Sequence, residues 1–234
     1  MMHRDLSIIE ILKFAAENHS VSEVISLRAE GNIHRYTYSD CLVRVCKLAN
    51  ALLDLGVKKG DRIATLAWNS YRHLELYYAV SGVGAVCHTI NPRLSADQML
   101  YIIEHAGDTV LFVDTSFVPI IEQLAPKLPK NLVIIVMASM ASMSNLSDQY
   151  LCYEKLLSEC SEKIVWPEFP ENTAAGLCYT SGTTGNPKGA LFSHRSTVLH
   201  ALSISLNMGL YLGDGKKVLP VVPLFHVNAW GLPY

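Results

Sequence analysis

Neither sign of charge dominates this sequence: 19 Lys plus Arg face 21 Asp plus Glu, so no basic stripe recruits nucleic acid and a small-molecule site is the better expectation. No CxxC pair occurs. The six cysteines, Cys41, Cys46, Cys87, Cys152, Cys160 and Cys178, are scattered through apolar or helical stretches, which argues against a metal knuckle or dithiol motif and for buried, reduced thiols. A secretory leader is not expected, because Asp5 and Glu10 interrupt the apolar core that one would need. No run can span a bilayer: Leu132 to Met143 is too short, and Val218 to Tyr234 is broken by Pro220, Pro223, His226 and Asn228. The expectation is a cytoplasmic chain with no transmembrane segment. What the sequence does have is apolar content, half of 234 residues, enough to bury a core in one large domain or two small ones.

Periodicity sets the architecture. Residues 6 to 16 carry apolar groups at helical spacing, and Val21 to Leu27 and Ile33 to Tyr38 flank the turn-forming Gly31-Asn32 as a hairpin. Thr37 and Asp40 read as a capping box for a helix with Leu42, Cys46, Ala49 and Leu53 on one face, stopped by Gly56. Strand and helix then alternate: strand 62 to 68, helix 70 to 82, strand 85 to 90, helix 95 to 106 capped by Ser95 and closed by Gly107, strand 109 to 114, helix 117 to 125, strand 131 to 138. This repetition predicts an α/β fold, a mainly parallel sheet with helices on both faces. Ala138 to Gln149 and Ile164 to Asn172 read as connections, followed by strand 174 to 179, a loop, a short strand 190 to 193 and helix 196 to 208. Residues 1–170 are expected to form a first α/β subdomain with the N-terminal helix and hairpin, and 171–234 to begin a second. The sequence stops at Tyr234 amid apolar residues rather than polar, frayed ones, so a truncation is expected there.

Residues 179 to 189, YTSGTTGNPKG, place four hydroxyls, three glycines and one lysine in a loop after a buried strand. Gly182 and Gly185 permit positive φ and close backbone approach, so successive N–H groups can form an anion-binding nest. Thr180, Ser181, Thr183 and Thr184 add donors without bulk, and Lys188 adds a point charge whose backbone Pro187 restrains. The pattern is not GxxxxGK[ST], since Pro187 precedes the lysine and Gly189 follows it. Gly82-Val83-Gly84 is not a dinucleotide fingerprint either, because Cys87 stands where a third glycine belongs. A plain hairpin connection could share the loop's composition, but its eleven-residue order is far more specific.

At these residues the sequence resembles the adenylate-forming superfamily, which includes acyl-CoA ligases, luciferases and peptide-synthetase adenylation domains. The segments DRIATLAWN (Asp61 to Asn69), HTINPRL (His88 to Leu94), LFVD (Leu111 to Asp114) and VVPLFHVNAWGLPY (Val221 to Tyr234) are similar to medium- and long-chain fatty acyl-CoA ligases, including a branch acting on methylthiopropionate. The resemblance implies the N-terminal region of the adenylate-forming fold. It also implies that Thr180, Ser181, Gly182, Thr183, Thr184, Gly185 and Lys188 hold the β- and γ-phosphates of ATP, with Thr180 near Mg²⁺ and with Lys188 and Thr180 catalytic. A fatty acid would be activated to acyl-AMP and passed to CoA. The segment from Phe225 to Trp230 is implied to line the acyl site, with His226, Val227 and Trp230 binding substrate and Trp230 gating the tunnel, although a Trp and a Phe in an apolar run more often pack a core.

An acidic metal partner, a ribose-binding aspartate and a lysine from a mobile C-terminal domain are implied beyond Tyr234. The 234 residues alone are therefore expected to fold without useful turnover. The rivals are adenylation without CoA, as in fatty acyl-AMP ligases, amino-acid adenylation domains or luciferases, and a non-catalytic nucleotide-binding or dimerisation module. No acidic partner for an α-amino group stands beside the apolar wall, which disfavours amino-acid substrates. A homodimer through the N-terminal domain follows from the family alone. His194 and His200, six apart, fall on different helix faces and do not form a metal pair.

Overall fold

The chain opens with helix α1 (Ile8–Asn18) and an antiparallel hairpin of β1 (Glu23–Leu27) and β2 (Ile33–Thr37). The computed structural model describes residues 4–144, 146–180, 186–207 and 216–234. Thr37 accepts from the Asp40 N–H while Asp40 accepts from the Thr37 N–H, and this reciprocal cap starts α2 (Tyr38–Asp54). There follow β3 (Arg62–Leu66), α3 (Tyr71–Gly82), β4 (Val86–Thr89), α4 (Ala96–Ala106), β5 (Asp108–Val113), α5 (Val118–Leu124) and β6 (Val133–Val136). Ser95 and Gln98 cap α4, and Gly107 ends it at φ 65°, the left-handed conformation that costs glycine nothing.

Two short elements, β7 (Leu151–Cys152) and α6 (Tyr153–Ser158), come next, then β8 (Ala174–Tyr179), β9 (Gly189–Ser193) and α7 (His194–Asn207). The seven strands run in the order β7-β6-β5-β3-β4-β8-β9, all pairs parallel except β8 with β9. One face packs on a core from α1, α2, α3 and α6, the other on a core from α4 and α5. This is the mainly parallel, doubly covered sheet that the alternating pattern predicts. Residues 159–173 carry no regular element, and beyond them the chain rejoins the same sheet beside β4.

One expected face is broader than predicted. Cys46 and Ala49 are buried and Leu42 partly so, Leu53 is exposed, and α2 also buries Cys41, Val45, Leu48 and Leu52, because it packs against both α1 and α3. The glycine pair after α3 does serve as a helix end, with Gly84 at φ 80°. Gly82 has a second constraint: a Cβ there would lie 2.5 Å from the Trp166 ring. All six cysteines are free thiols, and only Cys160 is not buried. Among the described residues no helix is long and apolar enough to cross a membrane.

A buried ionic network fastens the helical layer. Arg44 on α2 donates to both oxygens of Glu75 on α3 at 2.7 and 3.2 Å and to Glu154 on α6 at 3.0 and 3.2 Å. Arg72 joins Glu154 to Glu30 of the hairpin turn at 2.8 and 2.9 Å. Burial pushes the Glu75 carboxyl up despite Arg44.

Buried imidazoles make the fold acid-sensitive. His73 is fully buried; its Nδ1 lies 3.1 Å from the Trp68 carbonyl and its Nε2 3.0 Å from the Thr65 hydroxyl. Nδ1 therefore carries the proton and Nε2 accepts. Burial lowers its pKa to about 4 from an ordinary 6.5. The His194 Nδ1 accepts from the Ile8 N–H at 3.2 Å, and burial lowers its pKa likewise to about 4. Between pH 6.5 and 4 the unfolded chain binds protons these sites refuse, so stability is lost as pH falls through that window. His73 alone accounts for about 3 kcal/mol at the lower end. Urea unfolding of the chain at pH 7, 5.5 and 4.5 checks this, and a flat response would contradict it.

Candidate functional site

The sheet topology picks out one crevice. From β3 the chain moves to β4 on one side, and from β4 it crosses back to β5 on the other side of β3. In open α/β sheets, ligands bind at such a reversal, outside the carboxyl ends of the strands. Here Trp68 and Asn69 follow β3, Asp114 follows β5, and Tyr179 ends β8. The Asp114 carboxylate accepts from the Trp68 N–H at 2.7 Å, and burial pushes its pKa up to about 6.

Residues 216–234 lie as a strap over this end of the sheet, held by side chains from beneath. Asn69 Nδ2 donates to the carbonyls of Pro220 and Val222 at 3.0 and 3.1 Å, and its Oδ1 accepts from the Leu224 N–H at 2.6 Å. One amide thus satisfies three backbone groups of a stretch that has no regular secondary structure. Tyr77 donates to the Leu224 carbonyl, and Tyr78 to that of Pro233 at 2.6 Å. The Thr89 hydroxyl lies 3.2 Å from the Phe225 carbonyl. At about 0.5–1.5 kcal/mol each, these bonds fix the strap's path.

The strap then makes an uncommon turn. Val227, Asn228, Ala229 and Trp230 have φ of 47°, 49°, 48° and 56°, the left-handed region, which costs non-glycine residues roughly 1–2 kcal/mol apiece. Such a run persists only where surrounding contacts over-determine it. Asn228 is the residue type that best tolerates this backbone, and its buried side chain supplies the contacts: Oδ1 lies 3.1 Å from Cys178 Sγ and 3.4 Å from Thr89 Oγ1. A Cβ on Gly176 would lie 2.8 Å from its Nδ2, so glycine on β8 makes room for the amide. From the side, His200 Nε2 of α7 meets the Trp230 carbonyl at 3.0 Å. Three expected substrate residues therefore share one turn. His226, Val227 and Trp230 are exposed on it, Trp230 by 59 %, whereas Asn228 and Ala229 are buried.

The hydroxyl-rich motif begins where β8 ends. Pairing of Tyr179 with Gly189 sets Thr180 opposite Lys188, and the Thr180 N–H donates to the Lys188 carbonyl at 2.9 Å. The Lys188 N–H lies 3.4 Å from Thr180 Oγ1. Both residues are exposed, while Pro187 is buried. Ser181, Gly182, Thr183, Thr184 and Gly185 lie outside the described residues. The mouth of the loop is braced by Tyr179, whose hydroxyl meets His105 Nδ1 at 2.7 Å and whose ring lies 5.2 Å from that of His88. His88 Nδ1 is in turn 2.9 and 2.8 Å from the two Asp108 oxygens, both side chains fully buried. Burial raises the Asp108 carboxyl, with His88 opposing.

Asn69, Thr89 and Asn228 are the anchors that sequence reading misses. The signal available for Asn69 was positional: a polar amide just past the carboxyl end of a buried parallel strand sits where ligand crevices form.

Fold and topology together define a mainly parallel α/β architecture with a crevice at the carboxyl ends of its strands. The chain belongs to the family described as AMP-binding enzyme, whose pattern matches residues 13–234. It is 48% identical over 237 residues to a medium-chain-fatty-acid–CoA ligase of Ectopseudomonas oleovorans, covering 100% of this chain and 43% of that one. It is 44% identical over 234 residues to a long-chain-fatty-acid–CoA ligase of Thermus thermophilus, with coverage of 100% and 42%. A 3-methylmercaptopropionyl-CoA ligase of Ruegeria pomeroyi is 42% identical over 236 residues, with coverage of 100% and 44%. The chain thus spans less than half the length of these relatives. Among solved structures, acetoacetyl-CoA synthetase from Streptomyces lividans superposes with a TM-score of 0.83 at 21% identity, over 96% of this chain and 36% of that one. That likeness concerns the fold.

Proposed function

We propose that these residues form the N-terminal part of an AMP-forming ligase that activates a medium- or long-chain fatty acid with ATP and transfers the acyl group to CoA. The observation that supports it most is the mouth of the loop at 179–189. Thr180 and Lys188 are bonded across it and exposed, at the carboxyl end of β8 beside the strap. The names of the relatives favour fatty acids and CoA.

In this reading the substrate carboxylate attacks the α-phosphorus of ATP and the bond to the pyrophosphate breaks, leaving acyl-AMP. Lys188 and the loop hydroxyls hold the departing oxygens as their charge grows. Among the described residues no group of three acidic, His or Cys side chains could hold a metal ion. Thr180 would lie beside Mg²⁺, with the acidic metal partner supplied by residues beyond Tyr234. Bound there it supplies positive charge against the leaving group. The CoA thiol then attacks the acyl carbon, and AMP leaves. His226, Val227 and Trp230, presented on one exposed turn, form one wall of the acyl site.

Incubating the polypeptide, extended to the full length of its relatives, with ATP, Mg²⁺, CoA and decanoate tests this. Equal amounts of AMP and decanoyl-CoA are expected. Acyl-AMP without thioester would move the enzyme among fatty acyl-AMP ligases, and no acid-dependent AMP with any straight-chain acid would defeat the reading.

A further inference from the structure

The incoming strand of the loop at 179–189 and the helix after its outgoing strand both touch the same left-handed turn. On the incoming side, Cys178 immediately precedes Tyr179 and meets Asn228 Oδ1 at 3.1 Å. On the outgoing side, α7 follows β9 directly, and its His200 meets the Trp230 carbonyl at 3.0 Å. Beneath, the Thr89 hydroxyl stands between the Phe225 carbonyl at 3.2 Å and Asn228 Oδ1 at 3.4 Å. Cys178, Thr89 and Asn228 are all buried, so these bonds are shielded from water. A turn of four left-handed non-glycine residues is costly to hold, and the polar atoms that hold it come from β8, from α7 and from Thr89 at the end of β4.

We propose that Asn228, with Thr89, is a positioning residue that keeps the acyl-side turn in register with the phosphate loop, so that the bound carboxylate faces the α-phosphorus in line. The inference rests on the ligase reading above. Neither residue touches the reacting atoms. They act through the turn carrying His226, Val227 and Trp230 and through β8, and a misplacement of about 1 Å between two reacting groups commonly costs on the order of 10²-fold in rate.

The test is acid-dependent exchange of labelled pyrophosphate into ATP by the full-length enzyme, which reports adenylation without CoA. Thr89→Val keeps shape and removes the hydroxyl. Asn228→Gly removes the amide while keeping a residue that adopts positive φ freely. In each, kcat is expected to fall about 10- to 100-fold with KM for ATP changed less than about threefold, while Thr89→Ser, retaining the hydroxyl, stays within about threefold of the parent. A merely structural role would lower the melting temperature and leave kcat of the folded enzyme unchanged. Should Asn228→Gly fail to fold, the near-isosteric Thr89→Val decides alone. Parental kcat in Thr89→Val overturns the inference and leaves the ligase reading intact, whereas absence of exchange in the parent enzyme with every acid overturns both.

Discussion

Replacing Lys188 by Ala in the full-length enzyme is expected to slow acyl-adenylate formation about 100- to 1,000-fold while leaving fatty-acid affinity nearly unchanged. The ammonium is the single formal positive charge of the motif, and Pro187 before it is buried, so its backbone is anchored although its side chain is exposed. Charge grows on the departing pyrophosphate only as the bond to the α-phosphorus breaks, so the lysine contributes more in the transition state than in the ground state. Its loss should therefore fall on the chemical step. Single-turnover rates, with acid binding measured separately by calorimetry, distinguish the outcomes, and an unchanged single-turnover rate would refute the assigned role.

Glu154→Ala is expected to destabilise the chain by about 3–5 kcal/mol, the usual consequence of removing one partner from a buried ionic network. That is a large share of the roughly 5–15 kcal/mol that holds a typical domain folded. Glu154 accepts from Arg44, Arg72 and the Tyr71 hydroxyl, and its removal leaves two part-buried guanidiniums facing each other with less compensation. Burial alone would push its pKa up, but Arg44 and Arg72 outweigh it and hold the carboxyl below its ordinary 4.5. Its contribution is thus present above pH 4.5 and lost as pH falls through the lowered value. Urea unfolding at pH 7 measures the effect, and a loss under about 1 kcal/mol would show the network to be worth no more than exposed ion pairs.

Local chemistry was readable from the sequence where it acts over a few residues. The Thr37–Asp40 and Ser95–Gln98 caps and the Gly107 stop need only near neighbours, and the structure has all three. The apolar runs at β3 to β6 are long enough to declare buried parallel strands. By contrast, β7 has two residues and α6 has six, too short for either period to show. The additional buried positions of α2 reflect helices packing on more than one side of it, which a single apolar stripe does not reveal.

The site divides in the same way. The loop's proposed chemistry rests on composition and order, since glycines, hydroxyls and a lysine together suit polyphosphate. Its anchors do not. Asn69 bonds backbone groups about 150 residues away, and Asn228 meets Thr89 and Cys178 across separations of 139 and 50. The left-handed run at 227–230 has no glycine before Gly231, so no turn residue advertises it, and only tertiary contacts account for it.

The most direct test of phosphate-loop catalysis is exchange of labelled pyrophosphate into ATP by the full-length enzyme with Mg²⁺ and a straight-chain acid, CoA omitted. Exchange that requires the acid and drops by about two orders of magnitude in Lys188→Ala is predicted. Exchange of equal rate in the parent and in Lys188→Ala would contradict it.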